Sequence, residues 1–434
     1  MSPELIALIV IATLLALLFS GVPVFASLTL ASILGLYLFK GPEGFSAVPN
    51  IFYGKLSHFV LVAIPLFILM GEILFYTGIG EDLYNFGSKW LHRVPGGLAM
   101  GTVVASTIFG AMCGVSVAGA ATIGSFAIPE MLKRGYDRRL ASGCVAASGA
   151  LALLIPPSIG FILYGIIADE SIGKLFTGGI IPGVILASMM MAYIGLVVKL
   201  DPSKAPRLEE VVTWRERFRV LLKAWSAIFL IFSVLGTIYL GIATPTESAA
   251  IGSAGAFFLA LVVKKRLTWE TFLRILRSTM YTTGMILLIF ASAMLFGFVL
   301  TLLQVPQGLA SFVAELELPG WIVMSAIMAL LILMGMFLDG ASVILIGTPI
   351  LLPIVKALGF NGLWFGVVMM VTIEMAVITP PVGLNLYVIK GIAPREVSLE
   401  DIIRGALPFV FVEILSLVIF IGLPGLVLWL PGKL

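Results

Sequence analysis

The sequence is poor in charged residues and in the side chains that most often carry catalysis or bind metals. Only 11% of its 434 residues are charged, whereas roughly a quarter of an ordinary soluble chain is. Two cysteines and two histidines indicate neither a disulfide framework nor a metal site. HExxH and GxSxG motifs are missing, and no histidine lies near an embedded acid, which argues against an intramembrane enzyme.

Most of the chain is apolar. Apolar residues make up 60% of the chain, and the mean hydropathy is +1.15. Runs of apolar residues recur along the chain, and each is long enough to cross a hydrocarbon core of ~30 Å. The first run, Leu5 to Phe19, has no basic n-region or small-residue cleavage site, so we expect it to be a retained span. These features predict an all-α polytopic membrane protein, surrounded by lipid and without a nucleic-acid partner.

Apolar runs, separated by Gly, Pro and clusters of charged residues, predict ten full spans and two longer segments that form hairpins. The hairpins fall near 96–132 and 321–357. The full spans fall near 4–19, 22–39, 58–78, 140–168, 175–199, 223–241, 244–263, 278–303, 362–390 and 406–430. The order of elements is the same in both halves. We therefore divide the chain into repeat 1 (1–199), an amphipathic cytoplasmic linker (200–222) and repeat 2 (223–434).

The same spacing of proline and glycine residues occurs in both halves of the chain. Pro129 and Pro353 are each followed six residues later by a glycine, and each precedes a Pro-Pro pair by 27 residues. The pairs, Pro156-Pro157 and Pro380-Pro381, interrupt segments at 140–168 and 362–390 that are too apolar to be soluble loops. Paired Gly- or Pro-interrupted hydrophobic segments in the two halves of a membrane protein point to a transporter's binding site. The chain is thus predicted to be a secondary transporter.

Basic residues predict the orientation in the membrane. If the loops at 79–95, 133–139, 199–223, 264–277 and 390–404 are cytoplasmic, they hold 21 of the 26 lysines and arginines. Both termini then face the periplasm. Trp214–Trp225 and Lys264–Arg277 are basic and amphipathic and are predicted to lie on the inner membrane surface.

Five full spans separate the hairpins. Because five is odd, the second hairpin enters the membrane from the face opposite to the first. The two repeats are therefore predicted to be inverted, and alternating access by movement of one bundle against another is the expected mechanism.

The hairpin tips and the Pro-Pro breaks are the candidate binding site. Helix ends that meet inside a membrane offer N–H groups to anions and carbonyls to cations, and proline frees further carbonyls. Small residues in these stretches also allow close helix packing on their own. The candidate side chains nearest the breaks are Ser148, Ser158, Thr379 and Asn385.

Five acids lie within apolar runs, where an unpaired charge is costly. Asp339 at a hairpin tip and Glu374 before the second break are candidate site residues. Glu72, Glu247 and Glu413 are expected to make structural hydrogen bonds between helices.

Several stretches resemble the large membrane subunit of tripartite ATP-independent periplasmic (TRAP) transporters, the DctM family. The resemblance spans nearly the whole chain. Its motifs are IPLFILMGEIL (from Ile64), FGAMCGVSVAGAATIG (from Phe109), LIPPSIGFILYG (from Leu154), GIATPTESAAIG (from Gly241), GMFLDGASVILIGTP (from Gly335) and VITPPVGLNLYVIKGIA (from Val377).

The resemblance implies sodium-driven, elevator-type uptake of organic acids across a bacterial inner membrane, with sodium as coupling ion and no other cofactor. It also implies a small four-span membrane subunit and a periplasmic substrate-binding protein as partners. It implies two sodium sites, one near Gly114, Ser116, Ser148 and Pro156, and another near Gly335, Asp339, Thr379 and Gly383.

The sequence also allows other functions. The main alternative is a stand-alone ion-coupled dicarboxylate carrier with the same inverted-hairpin plan. A carrier of a small polar non-acid is a weaker alternative. A channel is disfavoured because hairpins that enter from both faces suit alternating access better than a continuous pore.

Overall fold

A computed structural model describes residues 1–206 and 212–433, and the described residues form helices without β-strands. Five residues of the predicted linker, 207–211, lie outside the described residues. The first half contains α1 (Pro3–Phe19), α2 (Val24–Lys40), α3 (Ala47–Leu56), α4 (Ala63–Tyr76), α5 (Ile79–Trp90), α6 (Gly97–Cys113), α7 (Ser116–Lys133), α8 (Arg138–Ala150), α9 (Ile159–Ala168) and α10 (Ile172–Leu200).

The second half contains ten further α-helices among the described residues. Its helices are α11 (Trp214–Tyr239), α12 (Pro245–Phe258), α13 (Trp269–Leu302), α14 (Val305–Glu315), α15 (Gly320–Gly335), α16 (Gly340–Ala357), α17 (Gly362–Ala376), α18 (Leu384–Ile392), α19 (Leu399–Gly422) and α20 (Gly425–Leu428). Eight helices among the described residues are long and apolar enough to cross a membrane. The prediction of an all-α membrane protein is confirmed.

Local sequence signals set many helix ends. Asp137 caps the N-terminus of α8, where its carboxylate accepts the backbone N–H groups of Arg139 and Leu140, both at 3.0 Å. Thr244 and Glu247 form a reciprocal capping box at the start of α12. Glu247 therefore bonds within its own helix terminus, and the expected bond from Glu247 to another helix is not found among the described residues.

Segment 79–95, predicted as a loop, contains α5. Its charges lie on one face, while Ile79, Leu83 and Gly87 on the other are buried. A methyl group at Gly87 would lie 2.4 Å from the carbonyl oxygen of Gly101, so this glycine allows α5 and α6 to pack closely. The loop was predicted because α5 is amphipathic rather than uniformly apolar.

The two amphipathic segments continue directly into long helices. Trp214 is the first residue of α11, which has 26 residues, and Trp269 is the first of α13, which has 34. The described part of the predicted linker thus includes the first turns of α11. The location of both segments at the inner membrane surface stays a prediction.

Two groups of helices can be distinguished by their packing. α1 packs on α2 and α11 on α12, while α4 contacts α12 and α13, and α13 contacts α2. We call α1, α2, α4, α11, α12 and α13 the framework. The remaining long helices surround the hairpins: α8 packs on α19 and α10 on α17. We call α6–α10 and α15–α19 the core block.

The segments predicted to form hairpins and breaks contact each other across the two halves of the chain. α6 and α7 form the first hairpin, and α15 and α16 form the second. α7 of the first hairpin packs on α18, which follows the second break, and α16 of the second hairpin packs on α9, which follows the first. Each hairpin therefore contacts the helix that follows the break of the other half. The inverted orientation of the repeats stays a prediction.

Candidate functional site

The tip of the first hairpin lies against the first Pro-Pro break. Gly114 follows α6 with a φ of 65°, a conformation that glycine adopts most easily. A methyl group at this position would lie 3.1 Å from the carbonyl oxygen of Pro157. Gly114, Ser116 and the break at Pro156, which were predicted for the first sodium site, therefore lie in one region.

Ser148 and Ser158 make hydrogen bonds behind that region. The Ser148 hydroxyl is buried and donates to the Ser106 hydroxyl on α6 at 3.0 Å. The Ser158 hydroxyl donates to the carbonyl oxygen of Leu153 at 2.5 Å and accepts the backbone N–H of Phe161 at 3.5 Å, which caps α9. Both hydroxyls are engaged in protein contacts, and their predicted role in binding stays a prediction.

The second hairpin tip lies against the second break. The backbone N–H of Gly383 donates to the carbonyl oxygen of Met336, just after α15, at 3.1 Å. Gly335 approaches α17 closely, since a methyl group there would lie 2.5 Å from the Cβ atom of Ala376. The Thr379 hydroxyl donates to the carbonyl oxygen of Met375 at 2.6 Å. The structure thus brings three residues predicted for the second sodium site, Gly335, Thr379 and Gly383, around one tip.

Asp339 caps the N-terminus of α16 at the same tip. One of its carboxylate oxygens accepts the backbone N–H of Ser342 at 3.0 Å, and the other accepts the Ser342 hydroxyl. A carboxylate at a helix N-terminus is stabilised by the free N–H groups there. Asp339 is therefore held in place as a helix cap, and it remains partly exposed.

Asn385 connects the two halves of the chain. Its side-chain N–H₂ donates to the Ser116 hydroxyl at 2.8 Å and to the carbonyl oxygen of Ala146 at 3.2 Å. The Ser116 hydroxyl also lies 3.2 Å from the Asn385 side-chain oxygen. All of these contacts are buried, so Asn385 links the first hairpin tip, α8 and the segment after the second break.

Glu374 lies beside the first break although it precedes the second in sequence. Its side chain is fully buried, and one oxygen accepts the backbone N–H of Leu154 at 3.0 Å. Its other oxygen has no hydrogen-bond partner among the described residues. Both oxygens of the buried Glu413 also lack one there, so the hydrogen bond between helices that was expected of Glu413 is not found among the described residues. The structure places Glu374 behind the break, outside the walls of the cavity formed by the tips.

That cavity has a volume of about 390 Å³ and lies between the core block and the framework. The first hairpin tip, from Cys113 to Ala118, forms part of its wall, and Asp339 to Ala341 of the second tip form another part. Helices α4 and α13 close the framework side with Glu72, Ser278 and Thr282. Neither Lys, Arg nor His occurs in this wall as described.

Three polar residues of the wall were missed as site residues by sequence reasoning. Glu72 was expected to make only a structural bond, and Ser278 and Thr282 were not identified. Glu72 does accept a hydrogen bond from the Ser278 hydroxyl of α13 at 2.8 Å, but it also faces the cavity. The available signal was the spacing of Ser278 and Thr282, which places both hydroxyls on one helical face.

The chain is similar to known transport proteins over almost its whole length. It is 35% identical to the C4-dicarboxylate TRAP transporter large permease protein DctM of Pseudomonas aeruginosa, with 94% of each chain covered. It is 31% identical to the sialic acid TRAP transporter large permease protein SiaM of Vibrio cholerae serotype O1, with 96% of each covered.

A solved structure shares the fold at low sequence identity. The Alcanivorax borkumensis YdaH transporter superposes with a TM-score of 0.63 at 14% identity, covering 89% of this chain and 90% of the other. The sequence family described as "Tripartite ATP-independent periplasmic transporter, DctM component" matches residues 11–426. This match confirms the resemblance seen in the motifs, and the chain belongs to the DctM family as a large permease subunit of a TRAP transporter.

Proposed function

We propose that this subunit carries out sodium-driven, elevator-type uptake of a small organic acid delivered by a periplasmic binding protein. The observation that carries the proposal is the cavity of about 390 Å³ lined by both hairpin tips and by the framework helices α4 and α13. A site between two groups of helices can be exposed to alternate sides when one group moves against the other.

The helix ends at the cavity suit a carboxylate. α7 starts there without a side-chain cap, because Val115 precedes it. The backbone N–H groups of Ser116, Val117 and Ala118 therefore remain available in the first turn, next to the cavity. An uncapped helix N-terminus favours negative charge.

Sodium supplies the positive charge that the cavity wall lacks. Proline lacks a backbone N–H, and we propose that carbonyl oxygens beside each Pro-Pro pair coordinate the cation. The first break contacts the first hairpin tip at Gly114, and the second break contacts the second hairpin tip through Gly383. We place one sodium ion at each of these two contacts.

The substrate class follows from the relatives together with the helix ends. The two relatives described above are named for C4-dicarboxylates and for sialic acid, and both compounds carry a carboxylate. A carboxylate of the substrate would bind the free first turn of α7. The remaining substrate atoms would occupy the cavity between the tips and α4.

Two partner proteins complete the proposed system, a small four-span membrane subunit and a periplasmic substrate-binding protein. The family is described as one component of a tripartite transporter. The loops on the predicted periplasmic side are short, so they offer no receptor domain to capture a scarce substrate. Docking of a binding protein can couple to transport if it binds two states with different affinity.

Reconstitution into proteoliposomes tests this function. We expect uptake of acid only with an inward sodium gradient, the four-span subunit and the cognate binding protein present together. Uptake driven equally well by a proton gradient without sodium would instead favour Asp339 or Glu374 as proton carriers. Sodium-dependent uptake by the chain alone would favour a stand-alone carrier.

A further inference from the structure

Glu72 presents a carboxylate to the cavity. This carboxylate has no part in the proposed binding of the substrate to α7 or of sodium to backbone carbonyls. Glu72 lies in α4, within the framework, and its side chain is partly exposed. One oxygen accepts the hydroxyl of Ser278 at 2.8 Å. The second oxygen makes no hydrogen bond to a described residue, and a carboxylate oxygen can accept two.

The other carboxylate of the wall differs from Glu72. Both oxygens of Asp339 are engaged by Ser342 at the start of α16. No basic side chain of the described wall faces Glu72. Glu72 therefore has one carboxylate oxygen without a hydrogen bond among the described residues, whereas each oxygen of Asp339 already accepts one.

A second carboxylate of a substrate would be repelled by Glu72 in this apolar surrounding, since like charges interact strongly where water is scarce. A hydroxyl or ammonium group, by contrast, can donate to the free oxygen. We infer that the transported acid carries at least one such hydrogen-bond donor, which Glu72 accepts, so that hydroxy, amino or sugar acids bind better than unsubstituted acids. This inference rests on the proposed function, because it assumes that the cavity binds the acid.

Equilibrium binding to the full chain in lipid nanodiscs with saturating sodium tests the inference. The probes are the matched four-carbon acids succinate, L-malate and L-aspartate, together with butyrate and 3-hydroxybutyrate. Within each matched set, we expect the acid with a donor to bind about tenfold or more tightly than the acid without one, as for a hydrogen bond to a charged group.

Glu72→Gln should reduce this preference to about threefold or less, because a neutral amide oxygen is a weaker acceptor than a carboxylate. Glu247→Gln is the matched control, because Glu247 caps α12 away from the cavity, and it should bind like the unmodified chain. Melting temperatures of all variants confirm that they are folded.

The outcomes separate the two levels of the proposal. Equal binding of acids with and without a donor overturns the role of Glu72 and leaves acid transport standing. Absence of binding by every acid overturns the proposed site itself. A shift in the sodium concentration for half-maximal binding in Glu72→Gln, with the donor preference unchanged, assigns Glu72 to a cation and also overturns the inference.

Discussion

At the scale of single residues, Asn385 shows how one side chain holds the centre of the core block together. It donates to the Ser116 hydroxyl and the Ala146 carbonyl, in a region from which water is excluded. Buried polar atoms cost free energy when they lose a partner. Its spacing from the second break was visible in the sequence, but its two partners come from the other half of the chain.

Asn385→Ala should lower the free energy of unfolding by about 1–3 kcal/mol, because it leaves the Ser116 hydroxyl and the Ala146 carbonyl without this donor. Thermal unfolding in nanodiscs measures the change, and sodium-driven uptake should fall with it. Asn50→Ala is the control, since Asn50 is exposed on α3 and should change neither quantity. Unchanged stability of the Asn385 variant would refute the bridging role.

Gly114 tests the contact between the first tip and the first break. Its φ of 65° would cost an alanine about 1–2 kcal/mol, and Gly241, with a φ of 67°, carries the same cost. A methyl group at Gly114 meets the carbonyl oxygen of Pro157 at 3.1 Å, whereas one at Gly241 meets nothing within 4 Å.

Gly114→Ala should therefore lose more stability than Gly241→Ala by about 1–3 kcal/mol, the usual cost of overpacking. It should also abolish most sodium-dependent uptake, while Gly241→Ala retains it. Denaturation and transport assays on the same preparations compare the two variants. Equal stability and equal uptake of the two variants would mean that the close approach of Gly114 to Pro157 is not needed for transport.

At the scale of helices, the proposed movement requires the first hairpin to slide past α4. Gly71 of α4 faces Cys113 at the end of α6: a Cβ atom at Gly71 would lie 3.5 Å from the Cβ atom of Cys113. This separation falls within the range found in disulfides. A cysteine at position 71 can therefore trap the hairpin against the framework.

Gly71→Cys should form a disulfide with Cys113 on mild oxidation, and uptake should then fall to a small fraction and recover on reduction. Proteoliposome uptake before oxidation, after oxidation and after reduction provides the measurement. The double variant Gly71→Cys with Cys113→Ser should be insensitive to oxidation. Full uptake with the cross-link closed would exclude sliding at this contact.

At the scale of the whole molecule, the distribution of basic residues predicts how the chain lies in the membrane. The loop around Ser203 is expected to be cytoplasmic and the loop around Ser46 periplasmic, and both serines are exposed. The physical reason is the positive-inside rule, since 21 of the 26 basic residues fall on one side in this arrangement.

Single cysteines at Ser46 and Ser203, each in a background without Cys113 and Cys144, test that orientation in intact cells. An impermeant thiol reagent applied from outside should label position 46 and leave position 203 unlabelled until the membrane is opened. Labelling of position 203 from outside would overturn the predicted topology.

The sequence by itself determined what depends on neighbours along the chain. Long apolar runs indicated a helical membrane protein, and Gly114, Asp339 and the two Pro-Pro pairs predicted where the hairpin tips and breaks would lie. These signals are local: a proline removes its own donor and a glycine permits its own backbone angle. Helix α5 was missed because its apolar residues occupy only one face.

Only the tertiary structure decided which segments meet. The packing of α7 on α18 and of α16 on α9 turned Asn385 toward Ser116 and placed Glu374 at the backbone of Leu154. It also directed Ser148 to Ser106 and left Glu72 facing the cavity. A polar residue in an apolar helix is stabilised by a hydrogen-bond partner. For Asn385, Glu374 and Ser148 that partner lies on a segment distant in sequence, so it is defined only when the helices are packed.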